Sequence, residues 1–172
     1  LHLCDRRQRQ MCIRDSYYKD TALYTVGTYD TAPRIKAEGC TFQSCGISGI
    51  KPGTTTEKLL GKLQSDGALS IIDKKGAKKE GTLCTGDSVR NTYDNGLAIF
   101  DLPIVIYGDV DGNGKIDKDD ITALQKHLIR SSILGGPYLI AADVNHDETV
   151  DIMDMIRLIQ YVSDDAKITQ ED

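Results

Sequence analysis

Tryptophan is absent from this chain, and phenylalanine occurs only twice in 172 residues. So few large rings leave little for stacking on sugar faces or unpaired bases. Tyr17, Tyr18, Tyr24, Tyr29 and Tyr93 could form a small sugar platform, although tyrosine in strands is more simply sheet surface. Histidine is nearly as scarce: His2, His127 and His146 leave none between residues 17 and 107. Serine–histidine and cysteine–histidine nucleophile activation are therefore excluded within that stretch. Its carboxylates, Asp66, Asp73, Asp87, Asp94 and Asp101, are scattered and form no sequence-readable pair for glycoside hydrolysis. No apolar run approaches the ~20 residues of a membrane span. Positive charge is in deficit, with 21 Lys and Arg against 26 Asp and Glu. That balance argues against nucleic acid and anionic membranes as partners.

The cysteines show no CxxC metal spacing. Two of the five, Cys4 and Cys12, belong to LHLCDRRQRQMCIRDS, which has neither hydrophobic periodicity nor the apolar core of a signal peptide. Arg6–Ser16 resembles the in-frame translation of a transposase-type sequencing-library adapter. Residues 1–16 are therefore read as an unstructured artefact, with the protein entering as a fragment near Tyr17 and any catalytic domain lying upstream. The competing reading is a basic arm, because the segment carries four Arg and two Asp. Without it the remainder has a net charge of −7 and three cysteines, Cys40, Cys45 and Cys84. Cys40–Cys45, or either with Cys84, could pair in an oxidising compartment. The plainer reading is that all three are small half-buried residues.

What the chain does have is oxygen donors at fixed spacing. In DVDGNGKIDKDD, Asp109, Asp111, Asn113, Asp117 and Asp120 occupy positions 1, 3, 5, 9 and 12 of a twelve-residue loop. That spacing wraps one Ca²⁺, with Lys115 at position 7 offering its backbone carbonyl. Gly114 stands at position 6, where the loop needs positive φ. Apolar Ile116 at position 8 can pin the loop to a core. The pattern returns 34 residues later in DVNHDETVDIMD, as Asp143, Asn145, Asp147, Thr149, Asp151 and Asp154, with Val150 at position 8. Each loop crowds four carboxylates together, which is unfavourable without a counter-ion. Position 6 of the second loop is Glu148, so a weaker second site is expected. A helix follows each loop. Lys118–Arg130 carries Ile121, Leu124 and Leu128, widened by Ile129, and Ile152–Val162 carries Met155, Ile156, Ile159 and Val162, with Leu158 beside them. SSILGGPYLIAA between them predicts a turn at Gly135–Pro137 and a short helical connection.

Upstream, ALYTVGTY predicts a strand within residues 17–44, which are either the tail of a preceding β-domain or leading strands. Residues 45–107 predict an α+β accessory module of four or five strands and one helix. GISGI is a strand, and Thr54 or Thr55 caps a helix carrying Leu59, Leu60 and Leu63, ended by Ser65–Gly67. ALSIID is a strand, KKGAKKEG a solvated basic turn, GTLCTGDSVRN a strand pair and LPIVIYG the last strand. No helix enters the first loop, unlike a paired EF-hand, and position 12 is Asp in both loops rather than Glu.

These features, GDVDGNGKID and AADVNHDETVD ahead of helices, resemble the type I dockerin family over roughly 108–162. ISGIKPGTTTEKLL with the closing VIYGD resembles a small module that often directly precedes dockerins. The resemblance implies an all-α dockerin of two calcium-loop–helix repeats over 108–172, holding two Ca²⁺. It implies docking onto a cohesin of a scaffoldin or cell-surface protein, outside a bacterial cell, in a cellulosome-type or polysaccharide-degrading context. Family recognition residues map to Lys118 and Asp119 in the first repeat and to Ile152 and Met153 in the second. Further helix contacts map to Gln125, Lys126 and Arg130, and to Ile159 and Gln160. Ile152 and Met153 are either an apolar anchor or part of the core. No enzymatic activity is expected of this fragment. The other readings are a calcium-stabilised structural cap and a carbohydrate-binding accessory piece.

Overall fold

In a computed structural model, residues 22–25, 34–43, 46–65, 67–92, 98–163 and 167–170 are described. The adapter-like segment, Cys45, Tyr17, Tyr18, Tyr29 and Tyr93 lie outside them. A β-rich region precedes a helical C-terminal part.

The β-rich region contains β1 (Ala22–Thr25), β2 (Arg34–Ala37), β3 (Thr41–Gln43), β4 (Gly46–Ser48), α1 (Thr56–Leu60), β5 (Leu63–Ser65), β6 (Ala68–Ile72), β7 (Ser88–Thr92) and β8 (Ala98–Pro103). All its strand ladders are antiparallel: β1-β2-β5, β3-β4 and β6-β7-β8. β2 takes β5 as its neighbour, and Ile35 and Ala37 share one core with Ile47, Leu59, Ile71, Val89 and Ile104. Burial of these aliphatic side chains is the main favourable term holding the sheets together.

Three local expectations change. The helix after Thr55 stops at Leu60, because Gly61 N–H and Lys62 N–H close on the Glu57 and Leu59 carbonyls. Leu63 then opens β5, yet stays in the same core as Leu59. The strand pair expected over 81–91 is one strand, β7, preceded by a turn at 84–87, with Gly81 and Gly86 at φ 99° and 92°. The strand expected over 102–108 ends at Pro103. Past it the chain stays buried but bonds outside the ladder: Ile104 N–H to Asp87 O (2.7 Å), Val105 N–H to Ile47 O (2.9 Å) and Ile106 N–H to Thr85 Oγ1 (3.1 Å). Cys40 and Cys84 are both free thiols, and burial pushes the Cys40 thiol up from its ordinary value.

The helical part holds α2 (Lys118–Leu128), α3 (Pro137–Ala142) and α4 (Ile152–Val162). Val110, Leu124, Ala142 and Leu158 form its buried centre, joined by Ile116 and Val150, the position-8 residues of the two loops. The apolar faces differ from the periodicity reading. On α4, Leu158 is the fully buried apolar residue, whereas Ile156 and Ile159 are 41% and 42% exposed. Ile129, placed on the core stripe from sequence, is the C-cap of α2 and points outward. The helix then reverses through Arg130 at φ 59°, with Arg130 N–H to His127 O and Ser131 N–H to Lys126 O, a Schellman-type end.

The C-terminal segment closes over the first loop's entrance. The Gln170 side chain donates to Tyr107 O at 2.8 Å and accepts from Tyr107 N–H at 2.9 Å. His146 meets the Tyr107 ring edge-on at 4.2 Å, and Gly108 N–H donates to Ala141 O at 2.8 Å.

Candidate metal centre

Each loop folds on itself through carboxylates that accept the backbone's own N–H groups. In the first, Asp109 Oδ1 accepts from Asn113 and Gly114 N–H at 2.9 and 3.1 Å. Asp111 Oδ1 accepts from Asn113 N–H, and Asn113 Oδ1 from Lys115 N–H. Asp120 reaches back across the loop: Oδ1 accepts from Val110 and Asp111 N–H at 2.7 and 3.0 Å, and Oδ2 from Asp117 N–H at 2.8 Å. Asp117 in turn caps α2 by accepting from Asp119 N–H. Positions 9 and 12 are thus the N-cap and N3 of the outgoing helix, a capping box built from the ligand set.

The second loop repeats this. Asp143 accepts from Asp147 N–H on Oδ1 and Glu148 N–H on Oδ2. Asp154 accepts from Asn145 and Asp151 N–H, and Asp151 caps α4 through Met153 N–H. Thr149, at position 7, donates its N–H to Asp147 Oδ1. The left-handed positions also coincide. Gly112 and Gly114 hold φ 73° and 83° in the first loop, and His146 and Glu148 hold 62° and 68° in the second. Only the second loop carries side chains there, at a cost of roughly 1 kcal/mol per residue. Glu148→Gly is therefore expected to raise second-loop calcium affinity about fivefold, read by isothermal titration against the unchanged chain. Equal affinity would show that φ at position 6 does not limit the site.

A cation fits these donors. Asp109, Asp111 and Asp120 each offer a carboxylate oxygen, all within 4.8 Å of one another, the one such cluster among the described residues. Asp109, Asp120 and Asp154 are fully buried. Burial pushes the carboxyls of Asp109, Asp143 and Asp154 above their ordinary value, and that of Asp120 up to about 7, against the lowering effect of their N–H donors. Like-charged, desolvated, acceptor-only groups favour a hard divalent cation that takes six to eight oxygens. The residues named from spacing as ligands fall on these two loops, with Lys115 and Thr149 at the carbonyl-donating position.

The nine residues mapped as recognition positions are all exposed: Lys118, Asp119, Gln125, Lys126 and Arg130 on or just after α2, and Ile152, Met153, Ile159 and Gln160 on α4. Ile152 and Met153 are each 51% exposed, so the reading that packed them inside is overturned. Two contacts had no sequence signal. Thr85 N–H donates to Asp109 Oδ2 at 2.7 Å from 24 residues upstream, and the Gln170 side chain pairs with Tyr107 across 63 residues.

This architecture defines a class: a pair of calcium-type loop–helix units, the first entered without a helix and the second from the short α3, packed over one small core. Within that class, residues 107–163 match the family model for the dockerin type I domain, and this segment is a type I dockerin. Dockerin domains bind calcium and attach to cohesins in a calcium-dependent way. No curated protein and no solved structure matches the chain. No helix among the described residues is long and apolar enough to cross a membrane.

Proposed function

We propose that the chain is a non-catalytic attachment fragment of a larger bacterial extracellular or cell-surface protein, in which a two-site calcium dockerin over 108–172 holds a cohesin. Residues 45–107, with leading strands from 17–44, serve as the accessory module that joins it to the rest of that protein, for which a carbohydrate-active enzyme is the proposed identity. The two ions sit in Asp109–Asp120 and Asp143–Asp154 and order the N-termini of α2 and α4.

The observation that carries this reading is the outer face of α4. Ile152, Ile156 and Ile159 recur at i, i+4, i+7, Met153 adjoins them, and all four stay exposed although Leu158 on the same helix is fully buried. The helix is apolar on two faces, and among the described residues only one meets the core. An exposed apolar row starting at the calcium-capped end of a helix is an anchor for a protein partner. The corresponding start of α2 presents Lys118 and Asp119, which are charged. That asymmetry supports a single docking orientation led by α4 rather than an interchangeable one.

The experiment is calorimetry of the full chain against a panel of cohesins, in calcium and in EDTA. Binding to at least one cohesin in calcium, lost in EDTA, is the expected result. Ile152→Asp with Met153→Asp should weaken that binding at least ~100-fold, as loss of two central anchors does. Its calcium stoichiometry should not change. Calcium binding with no cohesin bound across the panel would instead favour a calcium-stabilised structural cap.

A further inference from the structure

The two position-1 carboxylates are held differently. Asp143 spends both oxygens on its own loop, Oδ1 on Asp147 N–H and Oδ2 on Glu148 N–H. Asp109 uses only Oδ1 for its loop and turns Oδ2 to Thr85 N–H, in the β-rich region, at 2.7 Å. Thr85 and Asp109 are both buried, so this bond is made out of water, where it is strongest and most directional.

The turn carrying Thr85 is itself tied down. Asp87 N–H closes it on Cys84 O at 3.2 Å. Asp87 Oδ2 accepts from Cys84 N–H at 2.8 Å and from Lys79 Nζ at 2.6 Å. The Thr85 hydroxyl donates to Ile106 O at 3.2 Å and accepts from Ile106 N–H at 3.1 Å, three residues before Asp109. The loop backbone closes on the same turn. A Cβ on Gly112 would lie 2.7 Å from Thr85 O, and one on Gly114 would lie 2.8 Å from Leu83 O and 3.0 Å from Cys84 Sγ. A Cβ on Gly86 would collide with the Tyr138 ring of α3. The glycines therefore do two things in the first loop: they allow positive φ, and they let the loop lie flat on the 83–86 segment.

We propose that the Cys84–Asp87 turn is a structural part of the first calcium site, with Thr85 a positioning residue that orients the Asp109 carboxylate. The affinity of the first loop then depends on the β-rich module, and calcium in that loop locks the module to the dockerin. The dependence is reciprocal, because a contact that favours the metal-bound loop is favoured by the metal to the same extent. Among the described residues the Asp143 carboxylate is held by its own loop instead, so the second loop serves as the internal control. This inference rests on the reading of Asp109–Asp120 as a calcium site.

The test is a calcium titration of the full ¹⁵N-labelled chain, following the Gly114 amide for the first loop and the Glu148 amide for the second. In the unaltered chain the Thr85 amide should titrate together with Gly114. Thr85→Val, which breaks the turn's tie to Ile106, should weaken the first loop about tenfold, the low end of what a metal ligand's outer partner contributes, and leave the second loop unchanged. Thr85→Ser should restore it. Gly86→Ala, which strains the turn at its positive φ and pushes it against Tyr138, should weaken the first loop more than the second. A Thr85 amide that does not move with Gly114, or variants that weaken both loops equally or neither, would overturn the proposal. If the unaltered chain binds no calcium at either loop at millimolar concentration, the calcium reading fails first and this inference with it.

Discussion

Replacing Asp120 by alanine is expected to abolish calcium binding at the first loop and to destabilise the dockerin more than any other single loop substitution. The carboxylate has two tasks. It closes the ligand set at position 12, within 4.8 Å of the Asp109 and Asp111 oxygens. It also accepts from Val110, Asp111 and Asp117 N–H, holding both ends of the loop and the start of α2. Alanine removes a ligand and leaves three donors without that acceptor. Loss of the helix cap alone costs about 1 kcal/mol. A buried unpaired donor adds about 1–3 kcal/mol, and Val110 N–H is buried. Affinity at the first loop should fall more than ~100-fold, beyond what loss of a mere outer partner does. Thermal melting in saturating calcium should drop by more than about 10 °C, given 4–8 °C per kcal/mol for a domain of this size. Lys115→Ala, which keeps the position-7 carbonyl, should leave affinity within about twofold, because the side chain is not a donor to the metal. A loss at Lys115 matching that at Asp120 would refute the ligand assignment.

The second large effect is a reversal of pH dependence on adding calcium. Burial raises the carboxyl of Asp120 to about 7 and moves Asp109, Asp143 and Asp154 in the same direction. In the unfolded chain these groups titrate near 3.9, as any exposed Asp does. Between those values the folded, metal-free protein holds protons that the unfolded chain has released. Its stability therefore falls as pH rises through that window. Exposed Asp147, lowered by its hydrogen bonds to Thr149, opposes this only weakly. Calcium requires the ionised carboxylates, so its affinity rises with pH over the same interval. In EDTA the melting temperature should fall by at least about 5 °C from pH 5 to pH 7.5, and in millimolar calcium it should rise. Parallel pH profiles with and without calcium would contradict the assignment of the raised acids to a cation site.

The turns of the two loops were readable from sequence because many of the bonds that shape them are local. Asp109 reaches Asn113 and Gly114, Asp111 reaches Asn113, and Asp117 reaches Asp119, all within five residues. Side-chain spacing is then nearly equivalent to geometry. The helix faces were less readable. Periodicity on Ile152–Val162 finds enough apolar residues for more than one stripe and cannot say which meets the core. Packing answers it with Leu158 inside and Ile156 and Ile159 outside, and the surplus stripe is the feature most telling for function. The β-rich region was least readable, because its strands are short and its pairings distant, as between Ile35 and Ser65. Gly86 illustrates why. Its positive φ turns the chain within the stretch read from sequence as a strand pair, and that turn delivers Thr85 to a carboxylate no local pattern could connect with it.

The central claim is that two calcium ions organise the helical part, and calorimetric titration of the full chain with calcium, paired with far-UV circular dichroism and reversed by EDTA, tests it most directly. Two equivalents bound, with helix gained on addition and lost on chelation, is the result predicted. No heat and no change in helix at millimolar calcium would contradict it and leave Asp109–Asp120 and Asp143–Asp154 as hydrogen-bonded acidic turns.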